Sequence, residues 1–211
     1  MEKPADTLRY YTAEEFCKYI AAARARAVTL NDWGYYVFFS IAFYTGARKG
    51  EINALKWTDI DGNILHIRRS IAQKLKGGDV ETPPKNKSSY RDLQIPAPLM
   101  NILSEHKRRQ KEAAKNFSED YRICGGEQPL RDTSIENHNK AFAKAAGLPH
   151  IRIHDFRHTH ASLLVNEGIN IQEIARRLGH SDVQMTWNTY SHLYPREEER
   201  AVEILNRIVP D

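Results

Sequence analysis

An imidazole and a guanidinium three residues apart lie one helical turn from each other and can converge on a single phosphate. The chain holds this His-x-x-Arg spacing at His66/Arg69, His106/Arg109 and His154/Arg157. With nine histidines among 211 residues and many arginines, about one match is expected by chance, so spacing alone selects nothing. Only the third pair falls at a predicted helix start, where backbone N–H groups and the helix dipole also favour an anion. A concentration of cations lies between Ile64 and Arg91, seven Lys and Arg against two acids. Such an excess can bind phosphates, although a solvated basic face on a hairpin is the commoner fate of a charge run. The two cysteines, Cys17 and Cys124, have no metal-ligand spacing. They fit a reducing compartment and read as small core or surface residues, which excludes a disulfide framework or a zinc knuckle.

Elements with legible signals must position these groups. Thr12-Ala13-Glu14-Glu15 has the form of a capping box, and Phe16, Tyr19, Ile20 and Ala23 follow at helical spacing. Trp33 to Tyr44 has too few polar positions for a surface helix and reads as a buried one stopped by Thr45-Gly46. Arg48 to Leu55 then makes a short helix, with Arg48, Glu51 and Leu55 on one side. Asp59 to Asn63 is turn chemistry. Ile64 to Arg68, Val80 to Thr82 and Tyr90 to Ile95 are strand candidates, which predicts a small antiparallel sheet with a basic tip. Helices are expected from Leu99 to Lys115, from a Ser134 cap to Ala146, from an Asp155 cap to Glu167, and from Ile171 to Leu178 before Gly179. Ser181 to Gln184 reads as a second capping box, and Ala201, Val202, Leu205, Ile208 and Val209 form the apolar face of a last helix. No repeat or linker divides the chain, so a single domain over 1–211 is expected.

Composition bounds the classes. Hydrophobic residues make up 41% and charged residues 27%, which suits a folded globular chain, and a net charge of +4 does not by itself establish a nucleic-acid partner. The longest apolar stretch, Val37 to Tyr44, is far shorter than the roughly 20 residues a membrane span needs. The first residues lack the apolar run of a secretory signal.

The third pair sits in His154-Asp155-Phe156-Arg157-His158-Thr159-His160-Ala161-Ser162-Leu163-Leu164, followed by Leu178-Gly179-His180 and, ten residues later, Tyr190. With Thr45-Gly46-Ala47-Arg48-Lys49-Gly50-Glu51-Ile52 upstream, the chain resembles the catalytic domain of the tyrosine recombinases, the phage-integrase family, over nearly its whole length. The resemblance implies an α+β, mainly α fold carrying a small three-stranded antiparallel sheet. It also implies a recombinase that breaks and rejoins DNA through a covalent 3′-phosphotyrosyl intermediate. Arg48 and Arg157 become the phosphate-binding arginines, with Glu51 orienting the first. His154 and His180 become the two histidines, Tyr190 the nucleophile, and Lys87 the hairpin lysine, with Lys85 in reserve. The pattern gives His158 and His160 no reacting role, so both are read as structural. Tyr194 is near enough to compete with Tyr190.

The chemistry agrees with these types. Anionic oxygens repel nucleophiles and the transition state gathers charge, so fixed guanidinium forks on the non-bridging oxygens are needed. A phenol must lose its proton as it attacks, to His154 or another base, and the lysine can protonate the departing 5′-oxygen. The ester conserves the energy of the broken linkage, so no cofactor, metal or ATP is expected. Double-stranded DNA, self-association into a tetramer on it, no membrane, and a cytoplasmic, nucleoid-associated location are the implied partners and place. Residues 196–211 are expected to form a C-terminal helix that packs on a neighbouring protomer, and the family's N-terminal DNA-binding domain is expected to be absent. Two alternatives stand beside this reading. Ile171 to Gly179 followed by Ser181 to Thr189 resembles a helix-turn-helix, which suits a non-catalytic DNA-binding module, and a type IB topoisomerase uses similar chemistry without partner exchange.

Overall fold

The structure, a computed structural model, describes residues 9–73, 79–83, 89–194 and 198–208. Helix α1 (Ala13–Arg26) starts at the Thr12 capping box, with both reciprocal bonds formed, and buries Phe16, Tyr19 and Ala23. Helix α2 (Leu30–Thr45) is buried along most of its length, as its near-continuous apolar sequence requires. It ends at Gly46, whose φ of +63° is left-handed. A Cβ there would lie 2.8 Å from both His160 and Leu178, so only glycine fits. Helix α3 (Lys49–Ala54) follows at once with Arg48 as its first flanking residue.

The sheet differs from expectation in its members. Strands β1 (Ile60–Asp61), β2 (Ile64–Ile67) and β5 (Arg91–Gln94) form the three-stranded antiparallel sheet in the order β1-β2-β5. Residues 60–61 had read as part of a turn, yet Gly62-Asn63 is a two-residue hairpin connection, and it leaves the flanking residues paired. Val80 to Thr82 forms β4, which pairs with β3 (Ser70–Ala72) in a separate two-stranded ribbon. The larger sheet buries Leu65, Ile67, Arg91 and Leu93 on one face, the period-2 alternation of a one-sided sheet.

Helices α4 (Ala97–Ala113), α5 (Asp132–Ala145), α6 (Asp155–Asn166), α7 (Ile171–Leu178), α8 (Val183–Tyr190) and α9 (Glu198–Ile208) complete the described elements. Three caps differ from the sequence reading. His154 rather than Asp155 flanks the start of α6, and Asp155 is its first helical residue, its carboxylate turned back to accept from the Arg152 N–H at 2.9 Å. Helix α5 begins two residues before Ser134. Asp182 rather than Ser181 caps α8, accepting from the Gln184 N–H at 2.8 Å, because an aspartate one position nearer the helix competes successfully for the same role. The main core joins α1, α2, α4, α5 and the start of α6 around Tyr19, Phe39, Phe142 and Phe156. A smaller one lies between α6, α7 and α8 and contains Ala161, Val165, Ile174, Leu178 and Tyr190. Cys124 is buried and Cys17 exposed. No described helix is long and apolar enough to cross a membrane.

Candidate active site

The C-terminus of α2 is where the site is assembled. A helix leaves its last carbonyls without intrahelical partners, and here three side chains from α6 and α7 supply donors. The His160 Nδ1 lies 2.7 Å from the Phe43 carbonyl, Arg177 Nη2 donates to the Tyr44 carbonyl at 3.1 Å, and Arg157 Nη1 donates to the Gly46 carbonyl at 2.8 Å. Arg157 also donates through Nη2 to the Leu178 carbonyl at 2.6 Å, at the end of α7. Its guanidinium therefore bridges two helix ends that lie far apart in sequence.

Arg48 comes to the same place from the other side. Its Nη1 donates to Glu51 Oε1 at 2.9 Å and its Nη2 reaches the Gly179 carbonyl at 3.4 Å, while its side chain stays 41% exposed. Glu51 is buried and also receives two bonds from Arg91, at 3.2 and 2.8 Å. Burial acts to raise the Glu51 carboxyl, but Arg91 and then Arg48 outweigh it and hold it below its ordinary value. Arg91 is enclosed as well and donates through Nε to the Arg177 carbonyl at 2.7 Å and through Nη1 to the Ser89 carbonyl at 3.0 Å. Two guanidinium groups thus share one carboxylate, and the Arg157 guanidinium lies close enough to feel the charge of all three. Burial first, then Arg48 and Arg91, works against the charge of Arg157, and a guanidinium cannot relieve this by losing its proton at neutral pH. An entering anion relieves it.

The histidines stand around these cations. His154 is the flanking residue at the start of α6, and burial followed by Arg157 lowers its proton affinity. His180 follows the left-handed Gly179, its Nδ1 lies 2.7 Å from the Thr186 hydroxyl, and burial followed by Arg157, Arg48 and Arg91 brings it down to about 4. Both rings are therefore neutral at pH 7. A cleft of about 450 Å³ opens here, lined by Arg48, Lys49, Ser70, Ile153, His154 and Arg157.

Tyr190, the last residue of α8, is only 2% exposed, and its phenol is pushed up to about 12 by burial against the opposing pull of Arg157. Its Oη lies 2.6 Å from His158 Nδ1. Tyr194 has its hydroxyl on the Ile169 carbonyl at 2.6 Å, beyond the C-terminus of α6. The cations thus bear on Tyr190, and Tyr194 is engaged elsewhere.

Of the residues singled out in the sequence, Arg48, His154, Arg157, His180 and Tyr190 meet in this region. Lys87 and Lys85 lie outside the described residues. The other two His-x-x-Arg pairs dissolve into local contacts. His66 sits 2.7 Å from Asp92 and Arg69 pairs with Asp59 at 3.0 Å, while His106 is buried on the Ile123 carbonyl and Arg109 pairs with Glu105 at 2.7 Å. The described arginines of the basic stretch are likewise engaged internally, Arg68 on Asp92, Arg69 on Asp59 and Arg91 on Glu51. Sequence reasoning missed Arg91 and Arg177 as members of the site; it read His158 and His160 as structural, which the buried His160 on the Phe43 carbonyl fits, while the His158 contact with Tyr190 was not foreseen. Arg91 reads in the sequence only as one charge in a run, and His158 carries no signal beyond lying next to Arg157.

The phage integrase family profile matches residues 10–197. The chain is 32% identical over 208 residues to the ICEBs1 integrase of Bacillus subtilis, covering 96% of this chain and 55% of that protein. It is 34% identical over 187 residues to a XerC-like tyrosine recombinase of Caldanaerobacter subterraneus, covering 80% of this chain and 48% of that protein. The chain spans about half the length of these relatives. Among solved structures, the Tn1549 transposon integrase in complex with circular intermediate DNA aligns with a TM-score of 0.78 at 20% identity, over 99% of this chain and 70% of that one. The catalytic domain of bacteriophage HP1 integrase aligns with a TM-score of 0.62 at 22% identity, over 97% of this chain and 99% of that one.

Proposed function

The chain belongs to the phage integrase family, and from that premise we propose that it is a site-specific DNA recombinase that cleaves and rejoins double-stranded DNA through Tyr190. Arg48 and Arg157 hold the non-bridging oxygens of the scissile phosphate, and His154 and His180, neutral in this surrounding, donate further hydrogen bonds to it. Lys87, or Lys85 in its place, protonates the departing 5′-oxygen. The observation that carries the reading is the meeting of Arg48 and Arg157, more than a hundred residues apart, over carbonyls that flank Gly46 and Gly179. Tyr190 must meet the phosphorus with an oxygen this fold encloses, so DNA binding has to open the last step of approach.

The α7–Gly179–α8 corner has the helix-turn-helix form noted in the sequence, but its turn presents the Leu178 and Gly179 carbonyls to the arginines and places His180. This favours an enzyme over a simple DNA reader. Relatives named as recombinases and integrases favour partner exchange over topoisomerase-like relaxation. On α9, Val202, Ile204 and Leu205 are about half exposed or more, which suits docking on a neighbouring copy within a tetramer on DNA. The same reading places the protein with the nucleoid in the cytoplasm.

The test is covalent capture. A pool of random-sequence duplexes, nicked so that the cleaved fragment diffuses away, should yield an SDS-resistant adduct with the wild-type protein. Tyr190→Phe should abolish the adduct and keep DNA binding, whereas Tyr194→Phe should keep both. An adduct that survives Tyr190→Phe and vanishes in Tyr194→Phe reassigns the nucleophile.

A further inference from the structure

The Tyr190 hydroxyl lies 2.6 Å from His158 Nδ1, the one hydrogen-bond partner found for it among the described residues. His158 stands one turn beyond His154 on α6, and the two imidazoles meet edge to face at 5.0 Å and 87°, which fixes the plane of the second ring. The ring centroids of His158 and Tyr190 are 5.8 Å apart. We infer that His158 is a catalytic residue, the base that accepts the Tyr190 proton as the phenolic oxygen attacks the scissile phosphate. This rests on the strand-breaking reading above and adds to it the identity of the base.

The protonation states fit that role. Burial, followed by His154, holds His158 down to about 4, so its imidazole is neutral at pH 7, while the phenol is pushed up to about 12. Tyr190 is therefore the donor, Nδ1 the acceptor, and the ring proton sits on Nε2. The charged groups that disfavour a proton on His158 include Arg157. A phosphate seated on that guanidinium offsets its charge, so the imidazole gains basicity when substrate is in place. His154 lines the cleft beside Arg157 and meets the His158 ring rather than the phenol, which leaves it for the phosphate.

In the forward step the Oη–P bond forms and the phenolic proton passes to Nδ1. The P–O5′ bond breaks, and the 5′-oxygen leaves with its electron pair and takes a proton from the general acid of the proposed reaction. Rejoining runs the same transfers backwards, with the proton on His158 returning to the phenolic oxygen.

The alternative is that the contact only holds the ring in place, and His158→Asn separates the two. An asparagine amide oxygen can accept the same hydrogen bond but takes no proton near neutral pH. The probe is a nicked duplex recovered from the random pool by covalent capture on the wild-type protein. Single-turnover adduct formation should fall by roughly a hundredfold or more in both His158→Asn and His158→Ala, the range expected for loss of a general base. DNA affinity and the urea midpoint should stay close to wild type in the asparagine variant. The variants should recover by about tenfold per pH unit as the phenolate forms unaided, over a range where the wild-type rate is flat. A ring-fluorinated tyrosine at position 190, a more acidic phenol, should speed His158→Asn more than it speeds the wild type. If His158→Asn cleaves within about threefold of wild type while His158→Ala does not, the contact is positional and the inference is overturned. If the wild-type protein captures no duplex at all, the strand-breaking reading fails and takes the inference with it.

Discussion

Glu51 serves two arginines in different surroundings, and removing its charge should separate stability from chemistry. Both members of the Arg91–Glu51 pair are almost fully enclosed, with side chains 2% and 3% exposed, whereas the Arg48 side chain is 41% exposed. Glu51→Gln keeps the shape of the carboxylate and leaves the Arg91 guanidinium buried without a counter-charge. Breaking one partner out of a buried pair costs about 3–5 kcal/mol, a large part of the ~5–15 kcal/mol that holds a domain together. Arg48→Ala removes a half-solvated i,i+3 pair worth ~0–1 kcal/mol, yet it takes away one of the two proposed phosphate clamps. The Glu51 carboxyl lies below its ordinary value of 4.5. A depressed carboxyl contributes its stability above the unfolded-state value and loses it as pH falls through the folded-state value, so the gap between wild type and Glu51→Gln should narrow on acidification below that ordinary value. Urea unfolding near neutral pH and in acid, with covalent capture beside it, measures every part. Glu51→Gln costing under about 1 kcal/mol, or Arg48→Ala costing over about 2, refutes the division of labour drawn from burial.

Arg157→Lys should lose adduct formation and also soften the fold, because one ammonium cannot bridge the Gly46 and Leu178 carbonyls as the planar fork does; Arg48→Lys should lose adduct formation alone, and unfolding curves separate the two. Gly46→Ala should destabilise by ~1–3 kcal/mol, since φ is +63° and the new methyl meets His160 and Leu178 at 2.8 Å; a midpoint equal to wild type in urea would contradict the geometry. DNA affinity should fall steeply as salt rises, by counterion release, in a filter-binding or anisotropy series, and a flat series would remove phosphate contacts from the account.

Local signals carried well from sequence to structure where the physics is local. The Thr12 capping box, the buried α2, the Gly46 stop and the Ile171 to Leu178 span of α7 before Gly179 need only neighbouring residues to be read. The sheet was less legible because strand identity depends on the partner: Ile60-Asp61 becomes a strand only when Ile64-Leu65 folds back on it, and Val80 to Thr82 joins Ser70 to Ala72 rather than the larger sheet. In the candidate site, Arg48, His154, Arg157, His180 and Tyr190 stand out in the sequence because their order resembles a family. Arg91 and His158 do not, since what distinguishes them is burial and a contact across 40 residues to Glu51 or 32 to Tyr190, and neither leaves a periodicity.

Holding several cations together poses a problem that the fold answers in a particular way. A site proposed to receive a phosphate cannot fix its arginines with many carboxylates, because each added carboxylate would cancel the field that anion needs. Here one buried carboxylate, Glu51, is shared between Arg48 and Arg91, and most other bonds to these guanidiniums run to backbone carbonyls: Gly46 and Leu178 for Arg157, Gly179 for Arg48, Arg177 and Ser89 for Arg91. Several of these oxygens lie at the C-terminal ends of α2 and α7, where the helix dipole concentrates a partial negative charge of about half an electron. Carbonyls orient a guanidinium firmly and leave its formal charge uncompensated. That explains why the short turns after α2 and α7, each closed by a left-handed glycine, are where residues more than a hundred positions apart converge: these turns expose the unpaired carbonyls that the arginines require.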